Sequence, residues 1–240
     1  MEHDLALADL AVLPVSDLAD VLPLYLDHPF LKQQLVTYMG NKRKLLHHID
    51  AAIDHVRKEL AQTTISFADP FSGSGVVSRL ALASGKVHHL ATNDIAHYAH
   101  TTNLCHLHKP THTDTHTHIQ QLIIQANQQA DNNTNNDPWI ATHWAPQNDN
   151  HILPEERCYF TQENARRIDA IRNFIASDAV PTHLKPYLLA PLLSECSIHN
   201  NTNGQFAAYY RDGSPTKTGA FGGKHNVDYK RITQPIRLPN

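Results

Sequence analysis

Glycines, serines and carboxylates at fixed distances mark where this 240-residue chain could do chemistry. The run Phe67-Ala68-Asp69-Pro70-Phe71-Ser72-Gly73-Ser74-Gly75 leaves a β-branched and aromatic stretch and opens a helical one. Glycines at such a turn let the backbone bend sharply and approach a ligand closely, and free amides at a helix start favour polar or anionic groups. The run is not a Walker A loop, because Gly73 to Ser78 lacks the Gly-Lys-Ser/Thr ending. Nor is it a G-x-G-x-x-G fingerprint, because position 78 is serine. Asn93-Asp94 follows, with Asp94 nineteen residues beyond Gly75. In nucleotide-binding βαβ units an acid at about that distance (~20 residues) hydrogen-bonds ribose hydroxyls, because the second strand ends beside the first loop. The pairing favours an adenosyl ligand, whereas Asp94 taken alone is also an ordinary turn or capping acid.

These residues need a scaffold, and the flanking pattern supplies one. Thr63 to Ala68 reads as a short strand, Gly75 to Ser84 as a helix closed by Gly85, and Val87 to Thr92 as a second strand. Strand, glycine turn, helix and strand make a βαβ unit, which predicts a parallel sheet with crossover helices. Upstream, Leu45, Leu46, Ile49, Ala52, Ile53, Val56 and Leu60 recur at three- and four-residue intervals and predict an amphipathic helix over 43–61. The first thirty-five residues read as helical, with a Ser16-Asp17 cap and a break at Pro29.

From about residue 100 to 151 the composition shifts to His, Thr, Asn, Gln and Asp, which reads as an exposed connection or insertion around one helix, Ile119 to Ala130. Arg157 to Thr161 is a strand candidate. A helix capped by Thr161 follows, with Ala165, Ile168, Ile171 and Ile175 on one face, and then another from Thr182 to Ser197. Beyond Asn200 the chain is rich in Gly, Asn, Tyr and basic residues. There Asn203, Tyr209, Tyr210, Arg211, Lys217 and Lys224, with Lys230 and Arg231, interleave cations and aromatics as phosphate contacts and base stacking require, although a solvated surface segment has the same composition. His112, His116 and His118 alternate with Thr beside Asp114 without a cysteine frame, so no metal site is expected.

At this point the residues resemble a known family. Thr37-Tyr38-Met39-Gly40-Asn41-Lys42-Arg43-Lys44-Leu45-Leu46, then Asp69 to Gly75, then Asn93-Asp94-Ile95 are similar to the three N-terminal motifs of the dam-type adenine-specific DNA methyltransferases. Tyr159-Phe160-Thr161 with Asn164-Ala165, and Asn203-Gly204 with Phe206 and Gly222-Gly223-Lys224, resemble the family's later region. The resemblance implies an α/β, Rossmann-like sheet that binds S-adenosylmethionine, here with its first strands only, and an α-helical or irregular target-recognition region. It implies that Tyr38 packs on the cofactor and that Lys42, in the Gly40-Asn41-Lys42 turn, reaches its carboxylate. Asp69, Pro70, Phe71, Ser72, Gly73 and Gly75 would hold the methionine portion, with Asp69 near its ammonium, and Asn93-Asp94 would take the ribose. Read without the family, Gly40-Asn41 is an ordinary helix cap. The organisation expected is a helical lead over 1–36, a cofactor-binding part over 37–105, a polar insertion over 106–151 and a recognition region over 152–240.

The family's catalytic motif, Asp/Asn-Pro-Pro-Tyr/Phe, accepts hydrogen bonds from the target amine and stacks on the flipped base. It does not occur in these residues. Asn136-Asp137-Pro138-Trp139 lacks the second proline and follows a polar run, so no catalytic residue is assigned. The expectation is an N-terminal part or split subunit of an adenine-specific DNA methyltransferase. Its expected partners are double-stranded DNA, a second chain carrying the catalytic motif and a cognate restriction endonuclease. Two alternatives stay open: a non-catalytic subunit that binds S-adenosylmethionine or DNA, and a methyltransferase acting on RNA or protein. A companion carrying the Pro-Pro motif distinguishes the first, and competition between DNA and RNA the second.

Composition adds boundaries. A hydrophobic fraction of 41% and a mean hydropathy of −0.42 exclude fibrous and fully disordered chains, and no run nears the roughly 18 apolar residues of a spanning helix. The first eighteen residues carry acids and no Lys or Arg, the reverse of a secretory leader, so a cytoplasmic location and reduced cysteines are expected. A net charge of −3 counts nineteen histidines as neutral, so any basic face must be local.

Overall fold

The computed structural model describes residues 26, 28–37, 40–108, 113–132, 137–204 and 206–239, and of residues 113 and 114 the backbone only. The Ser16-Asp17 cap, Tyr38, His112 and Asn136 lie outside them. The described residues fall into two compact units, drawn from Met1–Gln34 with Gly40–Lys109 and from Leu35–Met39 with Pro110–Asn240.

The first unit is built on a parallel strand pair. Among the described residues β1 (Ile65–Asp69) and β2 (Val87–Thr92) run side by side from Ile65↔Val87 to Asp69↔Thr92, the parallel pairing that the strand, turn, helix and strand pattern predicts. Helix α1 (Pro29–Lys32) precedes them. Pro29 starts this helix instead of breaking one: a fixed φ suits the first helical position, and His28 Nδ1 accepts from Phe30 N. A 3₁₀ turn, Arg43–Leu45, leads into α2 (Leu46–Glu59), and α3 (Val76–Ala83) crosses from β1 to β2. Helix α4 (His97–Leu107) follows β2.

Phe30, Leu31, Leu46, Val76, Leu80 and Ala83 form this unit's core. Only part of the predicted α2 stripe is used, because Leu45, Val56 and Leu60 are exposed while Asp50 is buried. Asp50 can be buried because both its oxygens accept from Lys86 Nζ at 2.9 Å, which neutralises a charge that would otherwise resist leaving water.

In the second unit α5 (Thr113–Asp131), α6 (Trp139–His143), α7 (Gln162–Ala176), α8 (Lys185–Ile198) and α9 (Tyr229–Thr233) are joined by irregular chain. Helix α5 starts six residues before the predicted Ile119 and is not an exposed insertion helix. Its Leu122, Ile123, Ala126 and Ala130 join Ala165, Ile168, Ile171 and Ile175 of α7 and Leu188 and Leu192 of α8 in one core. Alanines fill the close contacts, and the glutamines that colour the composition turn mostly to solvent. Arg157 to Thr161 is irregular chain and not a strand. Thr161 does cap α7, its hydroxyl accepting from Asn164 N.

Asparagine side chains hold the final segment where a sheet would use backbone. Asn164 Nδ2 donates to Ile232 O and Gln234 O at 3.1 and 3.0 Å, and its Oδ1 accepts from Ile236 N at 2.9 Å. Asn127 exchanges a second pair of bonds with the backbone of Leu238, at 2.8 and 2.9 Å. Ile236 and Leu238 are thereby buried in the core.

Buried His199 sits between two acceptors. Its Nδ1 lies 2.6 Å from Arg231 O and its Nε2 3.3 Å from a Glu195 oxygen, so the imidazolium can donate to both. Burial draws its pKa down, but the Glu195 carboxylate and the Arg231 carbonyl outweigh that and raise it above the ordinary 6.5. A raised histidine pKa stabilises the fold fully below the unfolded value and loses that contribution as pH rises through the folded value. The melting temperature of the chain is therefore expected to fall as pH rises from about 6 to 8, and to fall less in His199→Gln. Equal pH slopes for the two proteins would remove His199 as the cause.

Candidate functional site

The glycine loop leaves β1 and is stitched to the chain leaving β2. Asn93 N donates to Asp69 O at 2.9 Å and Ser72 N to Asn93 O at 3.0 Å, extending the parallel pairing past the strand ends. The Ser72 hydroxyl donates to the same Asn93 carbonyl at 3.0 Å, and Asn93 Nδ2 reaches Pro70 O at 3.3 Å. Asp94 completes the join. Its Oδ2 accepts from Gly73 N at 2.8 Å and its Oδ1 from Ala96 N at 2.9 Å. Those amides, Ala96 first and Gly73 second, hold its carboxyl below the usual carboxylate range, so it is ionised at neutral pH.

Gly75 is required by two independent facts. Its φ of +72° lies in the left-handed region, and a Cβ there would stand 2.2 Å from Asn103 Oδ1. Asn103 projects from α4 and donates Nδ2–H to the Ser72 hydroxyl at 2.7 Å, bracing the loop from behind. Gly75→Ala is expected to destabilise the first unit by about 1–3 kcal/mol from backbone strain alone. Urea unfolding followed by circular dichroism measures this, and a loss of under about 0.5 kcal/mol would contradict it.

Asp69 turns its carboxylate to α3, where Ser78 Oγ donates to its Oδ2 at 2.7 Å. Two large apolar side chains emerge from the stitched loops instead of packing inward: Phe71 is 89% exposed and Ile95 99% exposed. Gly40, Asn41 and Lys42 make a turn of their own, with Gly40 at φ +91°, Lys42 Nζ donating to Gly40 O at 2.7 Å and Asn41 Oδ1 accepting from Arg43 N at 2.9 Å. Tyr38 is outside the described residues. Sequence reasoning quoted Ile95 without giving it a role and missed Ser78 and Asn103. Adjacency to Asp94 could have singled out Ile95, but nothing local marks Asn103, which meets Ser72 only through the fold.

In the second unit the basic and aromatic candidates surround an irregular hairpin with bridges at Thr202↔Tyr209 and Arg211↔Gly219. Asn203, Arg211, Lys217, Lys224 and Lys230 are exposed, and Tyr209 and Tyr210 are half-buried. Tyr209 donates its hydroxyl to Glu156 O at 3.1 Å, and Arg211 lies over its ring while donating to Lys217 O. Arg231 is bound into its own unit, with Nη1 donating to Ile198 O and Asn200 O and Nη2 to Thr202 O. Asp137 pairs with Arg172 at 2.8 Å ahead of α6, a structural setting for the Asp137-Pro138-Trp139 look-alike. His116 and His118 lie on α5, and among the described residues no three His, Cys, Asp or Glu side chains gather as a metal site would need. No helix among the described residues is long and apolar enough to cross a membrane.

A known family matches this pattern. The family model of the D12 class N6 adenine-specific DNA methyltransferases covers residues 38–217, a span holding the glycine loop, Asp94 and most of the hairpin. Over 179 residues the chain is 29% identical to the Type II methyltransferase M.CviAII of Paramecium bursaria Chlorella virus 1, covering 73% of this chain and 49% of that protein. The chain thus spans about half the length of this curated relative. No solved structure matches it. The chain belongs to the D12 class N6 adenine-specific DNA methyltransferase family.

Proposed function

We propose that the first unit binds S-adenosylmethionine in the service of methyl transfer to the exocyclic amine of adenine in a specific DNA site, as part of a restriction-modification pair. The observation that carries this reading is the Asp94 carboxylate, ionised and fixed on Gly73 N–H at the carboxyl edge of a parallel strand pair. The surroundings fit an adenosyl group. The Asp94 carboxylate offers acceptors for ribose hydroxyls, and Phe71 and Ile95, exposed on the same two stitched loops, offer apolar contacts for a purine. On this reading β1 and β2 are the first strands of a Rossmann-like sheet, Lys42 answers the cofactor's carboxylate, Asp69 its ammonium, and Tyr38 packs beside it. The cofactor, when bound, supplies a methyl group on a positively charged sulfur.

The chain's own residues bind and orient. The glycine loop gives close backbone approach, Asp94 fixes the sugar, and Asn103 and Ser72 keep the loop in one conformation. The 240 residues contain no Asp/Asn-Pro-Pro-Tyr/Phe tetrapeptide, so the groups that hold the target amine are not among them. A second chain carrying that tetrapeptide, double-stranded DNA and a cognate restriction endonuclease are the partners of this reading, in the cytoplasm. Asn203, Lys217 and Lys224 are its phosphate-facing candidates in the second unit.

Ultraviolet cross-linking with tritiated S-adenosylmethionine, followed by peptide mapping, tests the assignment. Label on peptides containing 67–75 or 93–95 is expected, and label confined elsewhere would overturn it. Fluorescence anisotropy with duplex DNA and RNA of equal length tests the polymer, and preference for RNA would replace DNA as the substrate.

A further inference from the structure

The aromatic side chains of the second unit are gathered in one strip. Trp139 lies 6.5 Å from Trp144 between ring centroids, and Trp144 5.1 Å from Tyr159. Tyr159 continues to Phe206 at 6.1 Å with planes 22° apart, and to Tyr209 edge-on at 5.0 Å. Two guanidinium groups rest on the same rings, Arg157 over Trp144 at 5.2 Å and Arg211 over Tyr209 at 4.7 Å. Both arginines are exposed, and the strip reaches solvent at Trp139 and Phe206, which are 47% and 46% exposed. It contains both tryptophans of the chain.

Core packing alone accounts for Trp144 and Tyr159, which border the main cluster of this unit. It does not account for half-exposed rings at both ends or for cations over the faces, since burial would hide the first and disfavour the second. We propose that the strip is a stacking platform for an unpaired DNA base, with Arg157 and Arg211 drawing in the flanking phosphates. The proposal rests on the DNA-methyltransferase reading and adds Trp139, Trp144, Arg157, Tyr159 and Phe206 to the residues that touch DNA.

The chemistry selects this occupant. A base outside its duplex has lost its stacking neighbours, and an aromatic face replaces them whatever the base's identity. Arginine beside a ring adds attraction to the phosphates that follow the strand. The strip is also held in position, because Tyr209 is bonded through its hydroxyl to Glu156 O and Arg157 Nη1 donates to His143 O at 3.2 Å. A fixed platform loses little side-chain freedom on binding.

Tryptophan emission of the full chain, titrated with a duplex carrying one unpaired adenine and with a fully paired duplex of equal length, tests this directly. The expected result is a change in emission on binding and tighter binding of the unpaired-base duplex. Phe206→Ala and Trp139→Ala are expected to weaken that binding by about five- to a hundred-fold. Phe206→Leu, which keeps bulk and removes the ring, is expected to fall with alanine, whereas a packing role would leave it near wild type. Circular dichroism melts check that the variants fold, and the wild-type emission change needs no variant. DNA binding by anisotropy with unchanged emission, or with alanine variants equal to wild type, would overturn the platform and leave the DNA reading standing. A folded chain that binds no DNA would overturn both.

Discussion

Asp94→Ala is expected to lower the affinity for S-adenosylmethionine by about a hundredfold or more. On the proposed reading Asp94 would accept two charge-assisted hydrogen bonds from ribose hydroxyls, each worth roughly 1.5–3 kcal/mol, and about 1.4 kcal/mol is tenfold. The substitution also frees Gly73 N–H and Ala96 N–H, so the loop loses the clamp that fixes it to the end of β2. Asp94→Asn, which keeps one acceptor oxygen, should fall between. Since the two amides keep the Asp94 carboxyl ionised well into acid, affinity should be flat through neutral pH and decline only as the carboxylate is protonated. Isothermal titration at several pH values measures both effects. Wild-type affinity in Asp94→Ala would reduce this residue to an ordinary turn acid.

Asn201→Ala is expected to be the most damaging single change in the second unit, at about 3–5 kcal/mol. Asn201 is fully buried, donates to Cys158 O at 2.8 Å and Ala220 O at 3.0 Å, and accepts from Gly222 N at 2.9 Å. One side chain therefore joins three separate stretches of irregular chain. Removing it orphans two backbone carbonyls and one backbone N–H, and each such group left buried without a partner costs roughly 1–3 kcal/mol. Asn201→Asp should fare no better, because a carboxylate cannot donate to the two carbonyls and would be a buried charge. Urea unfolding monitored by circular dichroism gives the figure, and a loss below about 1 kcal/mol would contradict the account.

Local periodicity made β1, β2 and α7 legible. The β-branched and aromatic run ending at Asp69-Pro70 and the short run after Gly85 read as strands, and Ala165, Ile168, Ile171 and Ile175 behind a threonine cap describe one helical face. Helix α5 is expected over Ile119 to Ala130 but reads as part of an exposed insertion, because Leu122, Ile123, Ala126 and Ala130 are set in a long His-, Thr-, Asn- and Gln-rich stretch whose composition hides a face that packs into the centre. The final segment could not be read at all. Its register depends on Asn127 and Asn164, partners that lie far away along the chain and act through side chains that usually mark turns.

The candidate site divides the same way. The spacing from Gly75 to Asp94 carried the join between loop and second strand, because parallel strands with a short crossover end side by side. Asn103 and Ser78, which steady Ser72 and Asp69, were invisible because their roles arise only once α3 and α4 are packed. The aromatic strip was half legible: Tyr209 and Arg211 stood out in the basic tail, while Trp139 and Trp144 come from the distant polar stretch and Arg157 from the strand candidate after it, and neither gave a sign of meeting them.

The central claim is that the stitched loops at the end of the strand pair form an adenosyl cofactor site. Its most direct test is isothermal titration of S-adenosylmethionine into the folded wild-type chain, with ATP and NAD as comparators. The account predicts saturable binding of one S-adenosylmethionine per chain and no comparable heat from ATP or NAD. A chain folded by circular dichroism that gives no saturable heat with S-adenosylmethionine, or that prefers either comparator, would contradict it.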